Sequence, residues 1–250
     1  MEGSTASNAD RGQQLRSVGT SVGLTVAGFL TAVVVFGVGI VTIGAVGIDL
    51  QQQPILFAIA GIVLQGVGFG VAVVLYMAVT DNWGLVGLRV PTLRDVGWTV
   101  GGLVALFAGY LGIVAIVSLL NVTPAENSIV EAGQQNPGLV PLLIPLAILV
   151  VGPSEELLFR GAIQGVLRRS YSAVPAIAIA SSLFGVAHVF ALLGGPLSGI
   201  LVYISVTFVL GMILGAIYER TENIVVPSLV HGVYNAILFT SLYFQVSGGV

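Results

Sequence analysis

The chain is divided into apolar blocks of about 20 to 30 residues separated by short polar stretches, and that block length decides most of what it can fold into. An α-helix rises about 1.5 Å per residue and needs roughly 20 residues to cross about 30 Å of hydrocarbon. A transmembrane β-barrel would instead show alternating segments of about ten residues, a pattern this sequence lacks. Composition agrees: 8% of residues are charged, against roughly 25% in a soluble domain. The expected fold is all-α, a polytopic transmembrane helical bundle in the lipid bilayer.

The expected spans are 20–47, 55–80, 97–120, 138–168, 174–193, 197–218 and 224–245. They give seven crossings, or eight if the fourth is split. That fourth span is too long for a perpendicular helix and carries Pro141, Pro145 and Pro153, so it is expected to tilt or kink, with Pro153 opening a turn. Residues 1–19 read as a polar, mobile cytoplasmic tail and 20–250 as one membrane domain. The first apolar run is longer than a signal-peptide core of about 7 to 15 residues and lacks a small-x-small cleavage site, so it reads as a permanent span.

Arginine placement sets the expected orientation, because cytoplasmic loops carry the basic residues. With the N-terminus inside, Arg11, Arg16, Arg89, Arg94, Arg168, Arg169 and Arg220 all fall in cytoplasmic segments, while the outer loops hold Asp49, Glu126 and Glu131. This predicts a plasma-membrane protein with its C-terminus outside. Trp83 and Trp98 read as interfacial anchors. There is no cysteine, which excludes disulfides, thiol nucleophiles and thiolate metal sites. The absence of lysine beside abundant Gly, Ala and Val suggests a GC-rich prokaryotic source. No nucleic-acid partner is expected.

Within the spans a few residues are out of place. An ionisable group in hydrocarbon costs a few kcal/mol, so such groups face the bundle interior and mark function. They are Glu155, Glu156 and Arg160 in "VGPSEELLFRG", His188 in the fifth span, and His231 with Asn235 in the seventh. Glu156 and Arg160 are four apart and share a helix face, so they can pair. Glu155 is turned about 100° away, a carboxylate without a local partner and a candidate general base or metal ligand. Counted from the nearest cytoplasmic loop at about 1.5 Å per residue, Glu155 lies about 20 Å deep, His188 about 22 Å, Asn235 about 18 Å and His231 about 12 Å. One polar pocket reached from the cytoplasmic side accommodates all of them.

A carboxylate with two imidazoles matches the ligand set of a catalytic zinc with an open water position, here Glu155, His188 and His231. It equally matches a metal-free site in which Glu155, helped by His188, deprotonates water while His231 and the Asn235 amide stabilise the oxyanion. Both are hydrolytic, and no Ser/His/Asp set competes. The spacings Gly161-x-x-x-Gly165 and Gly211-x-x-x-Gly215 read as close helix packing. Phe184 reads as core, and Tyr234 and Glu219 receive no chemical role.

Three motifs in order, E-E-x-x-x-R in "EELLFR", F-x-x-x-H in "FGVAH" and H-x-x-x-N in "HGVYN", resemble the CAAX protease and bacteriocin-processing (CPBP, or ABI) family of intramembrane endopeptidases. The resemblance covers 138–245, the expected catalytic core. It implies Glu155 as water-activating base or metal ligand, with His188 and His231 as its partners. It further implies Glu156–Arg160 as an orienting pair and Asn235 as an oxyanion donor. The implied substrates are a prenylated CAAX-type protein or another membrane-associated peptide. Two other classes stay open on residues alone: a transporter or proton relay using the buried Glu/His groups, and a scaffold or immunity protein that only binds through the pocket.

Overall fold

The structure is a computed structural model that describes residues 2–119 and 122–248, with side chains from residue 11 onward. The last residue of the third expected span, Leu120, and residues 249–250 of the membrane domain lie outside the described residues. The long helices are α1 (Glu2–Ala45), α2 (Pro54–Thr80), α3 (Leu93–Leu119), α5 (Pro137–Leu167), α6 (Ala173–Leu192), α7 (Leu197–Thr221) and α8 (Val225–Val246), with a short α4 (Ser128–Gln135) before α5. Among the described residues seven helices are long and apolar enough to cross a membrane. The protein is therefore an all-helical integral membrane protein. Leu30, Val33 and Val34 on α1, each more than 60% exposed, would make an untenable patch in water and are ordinary against lipid.

The polar N-terminal stretch, expected as a mobile tail, is helical and continues α1 without a break. Gln14 donates to the Ser170 carbonyl at 3.5 Å, and Ser17 hydrogen-bonds the Ser170 hydroxyl, which ties this extension to the α5–α6 turn.

Helix α5 stays whole despite its prolines. Proline lacks an N–H, and its ring clashes with the carbonyl four residues earlier in an α-helix. Ala147–Val151, just before Pro153, is wound as a wider π-helix, as is Leu157–Gln164, and such turns recur at functional sites. The expected break at Pro153 is thus absorbed inside one span, and the count is seven.

Helix α8 lies at the centre. Half of its apolar window is buried, the largest share of any span. It crosses α5 at two glycines: a Cβ on Gly152 would lie 2.5 Å from the Ser228 carbonyl oxygen, and one on Gly232 would lie 2.7 Å from that of Ala147. Backbones this close leave room only for hydrogen. Gly152→Ala should therefore push α8 away and destabilise the fold by about 1–3 kcal/mol, the usual range for overpacking; a lowered thermal midpoint in detergent would show it.

At the arginine-rich end the α2–α3 loop grips the α7–α8 turn. Arg89 binds both oxygens of Asp95 at 2.6 and 2.8 Å and donates to the Thr221 carbonyl at 3.0 Å. Donating to the Asp95 carboxylate raises the guanidinium pKa above its ordinary value. Thr92 and Asp95 form a capping box at the start of α3, the Asp95 carboxylate accepting the Thr92 N–H at 2.6 Å. Gly87 donates to the Tyr218 hydroxyl at 2.9 Å, and Ile224 donates to the Gly87 carbonyl at 2.8 Å. This clamp fixes where α8 begins, and so the height of His231.

Candidate active site

Glu156 is the hub of the site. It is fully buried on α5, and its Oε1 accepts from Arg160 Nη1 at 3.0 Å and from His231 Nδ1 at 2.8 Å. The i,i+4 pair expected from spacing is formed. The bond to α8 was not legible, because the partner is 75 residues away.

Arg160 is 1% exposed and has three partners: Glu156, the Gly211 carbonyl of α7 at 3.2 Å, and the Phe184 ring, whose centroid lies 4.2 Å from the guanidinium carbon. A charge this deep persists only when it is paired and hydrogen-bonded. The same face of α5 continues with Gln164, which donates to the Gly215 carbonyl at 3.1 Å and to Glu219 at 3.4 Å, and with Arg168, which bonds Glu219 at 2.8 Å. Residues 160, 164 and 168 thus meet 211, 215 and 219 in constant register, so α5 and α7 run in the same direction. Gly211 and Gly215 do more than allow close packing, since their carbonyls become acceptors for α5. The four-residue repeat of polar groups on α5 was the available signal for Gln164, and Glu219 is its partner on α7.

Phe184, 3% exposed, joins the two histidines. Its ring centroid lies 4.7 Å from that of His188 and 5.8 Å from that of His231, edge-on in both cases. It is core, as expected, and it also packs the groups of interest against one another. His188 Nδ1 bonds the Phe184 carbonyl at 2.8 Å. A carbonyl only accepts, so that nitrogen carries a proton, and in the neutral ring Nε2 keeps the lone pair. His231 repeats the arrangement with Glu156 as acceptor. Both imidazoles are tethered through Nδ1, and in the neutral form each presents Nε2 as an acceptor.

Glu155, 14% exposed, faces this assembly. Its Oε2 is 4.0 Å from His231 Nε2, too long for a direct hydrogen bond, and has no hydrogen-bond partner among the described residues. Asn235 lies one turn beyond His231, half-buried, and its amide makes no hydrogen bond among the described residues. The structure therefore joins Glu156, Arg160 and His231 by direct hydrogen bonds and sets Glu155 4.0 Å from His231, with His188 reached through Phe184 and Asn235 adjacent on α8. The donors considered for zinc are chemically suitable, but no three His, Asp or Glu groups among the described residues are gathered closely enough to hold a metal ion.

An unpartnered carboxylate beside tethered imidazoles inside a polytopic helical bundle marks a candidate functional site. Residues 137–237, about two fifths of the chain, match the family model described as type II CAAX prenyl endopeptidase Rce1-like, so this segment is similar to that family. The match runs from the start of α5 into α8 and takes in all six candidate residues, while α1–α3 lie outside it. No curated protein and no solved structure matches the chain.

Proposed function

We propose that the chain is an intramembrane endopeptidase that hydrolyses a peptide bond near the C-terminus of a prenylated CAAX-type protein or a similar membrane-associated peptide, using water activated by Glu155. One observation carries this reading: the unpartnered Oε2 of Glu155 faces Nε2 of His231 across 4.0 Å. A water between such groups gives a proton to the carboxylate while the imidazole accepts its other hydrogen bond.

The step balances on protein groups alone. The water oxygen bonds to the scissile carbonyl carbon, a water proton passes to Glu155, and the carbonyl electron pair moves to oxygen. The pair then returns, the C–N bond breaks, and the Glu155 proton goes to the leaving nitrogen. Glu156 is a positioning residue that holds His231 and is itself held by Arg160. His188 Nε2 is a second acceptor for water. In the neutral form His231 donates its one N–H to Glu156, so it orients water and leaves the oxyanion to the Asn235 amide. The arginine-rich end is read as cytoplasmic, in a plasma membrane, so substrate arrives from that side.

The test uses the purified full chain in detergent with quenched CAAX-type peptides, with and without a farnesyl group and with and without chelator. Cleavage that survives chelation, with no stoichiometric zinc bound, is expected. Chelator-sensitive cleavage would transfer Glu155, His188 and His231 to a metal, and no cleavage of any peptide would overturn the assignment.

A further inference from the structure

One half-buried tyrosine in the membrane, Tyr203 on α7, has no part in the chemistry above and sits beside it. Its ring centroid lies 6.1 Å from that of His188, with the planes inclined by 35°. Gly185, three residues before His188, packs on the Ile204 carbonyl, which sets the two side chains at the same level.

The hydroxyl is held in a defined state from outside the span. Asn127 caps α4: its Oδ1 accepts the Ile129 N–H at 3.0 Å, which fixes the amide so that Nδ2 donates to the Tyr203 hydroxyl, also at 3.0 Å. The phenol oxygen therefore accepts, and its own proton remains for another acceptor. Asn127 is itself fixed, because the segment before it lies directly on the first turn of α7. A Cβ on Gly199 would be 2.7 Å from the Ala125 nitrogen, and Ala125 is 5% exposed. A Phe would fill the same space, so the hydroxyl and its polar partner call for a use.

We propose that Tyr203 is a further catalytic residue, whose hydroxyl donates a hydrogen bond to the oxyanion of the scissile carbonyl, with Asn127 as the positioning residue that reserves its proton. The proposal rests on the hydrolytic reading of the site and supplies the second donor that a neutral His231 cannot provide. A hydrogen bond preorganised for developing charge accelerates the step and contributes little to ground-state binding.

The test compares wild type and Tyr203→Phe on a farnesylated CAAX-type peptide, and on the same peptide with a phosphonate replacing the scissile carbonyl. The expected result is a kcat lower by about 100-fold, the usual effect of losing one oxyanion donor, with KM changed less than about threefold. The phosphonate, a tetrahedral anion, should bind Tyr203→Phe about 100-fold more weakly, while the uncleaved peptide binds equally. Wild-type kcat in Tyr203→Phe, or equal losses for both ligands with a lower melting temperature, would overturn the proposal alone. A wild type that neither cleaves the peptide nor binds the phosphonate would overturn the hydrolytic reading with it.

Discussion

Replacing Glu155 by glutamine lowers kcat by about 10²- to 10⁴-fold, the range for loss of a positioned general base, and leaves the melting temperature at or above that of wild type. The two halves of this expectation have one cause. A partly buried carboxylate oxygen with no partner is a standing desolvation cost, and glutamine keeps the shape while removing the charge. A residue that helps the chemistry and burdens the fold is the signature of a working group. The measurement is a pair, steady-state cleavage beside thermal unfolding in the same detergent. Wild-type turnover in Glu155→Gln would remove the residue from the mechanism, and a large fall in stability would make it structural.

Arg160→Met gives the largest expected effect on the fold. Removing one partner of a buried ion pair leaves the other charge uncompensated, a loss of about 3–5 kcal/mol. Here that charge is Glu156, fully buried, whose second partner is His231. The double variant Glu156→Gln, Arg160→Met removes both charges and should recover most of the stability, because buried pairs are often replaceable by neutral groups. It should not recover cleavage, since the amide lacks the charge that fixes the His231 tautomer. Recovery of both would reduce Glu156 to a counter-ion.

Span positions were legible because hydropathy and helix length act locally: 55–80 was expected for α2, found at Pro54–Thr80, and 224–245 for α8, found at Val225–Val246. The Glu156–Arg160 pair was legible for the same reason, one turn of one helix. What escaped is either short or non-local. Helix α4 has eight residues and too little hydrophobicity to announce itself. The N-terminal helix extension depends on contacts with Ser170, more than 150 residues away. The His231 tether and the Asn127–Tyr203 bond span 75 and 76 residues. Spacing could suggest that Glu155 lacked a partner on its own helix; it could not say that Glu156 would take His231, or that a loop asparagine would leave a tyrosine its proton.

The same division between near and far partners bears on how the chain is made. Ribosomes deliver α5 before α7 and α8, so Glu156 and Arg160 meet the bilayer while Gly211 and His231 are still unsynthesised. Because the two charges lie one turn apart, they compensate each other within α5 itself, and the span can enter lipid as a nearly neutral unit. Glu155 joins the membrane with no such companion. The order of translation therefore makes the ion pair an insertion device first and a support for the histidine only after α8 arrives.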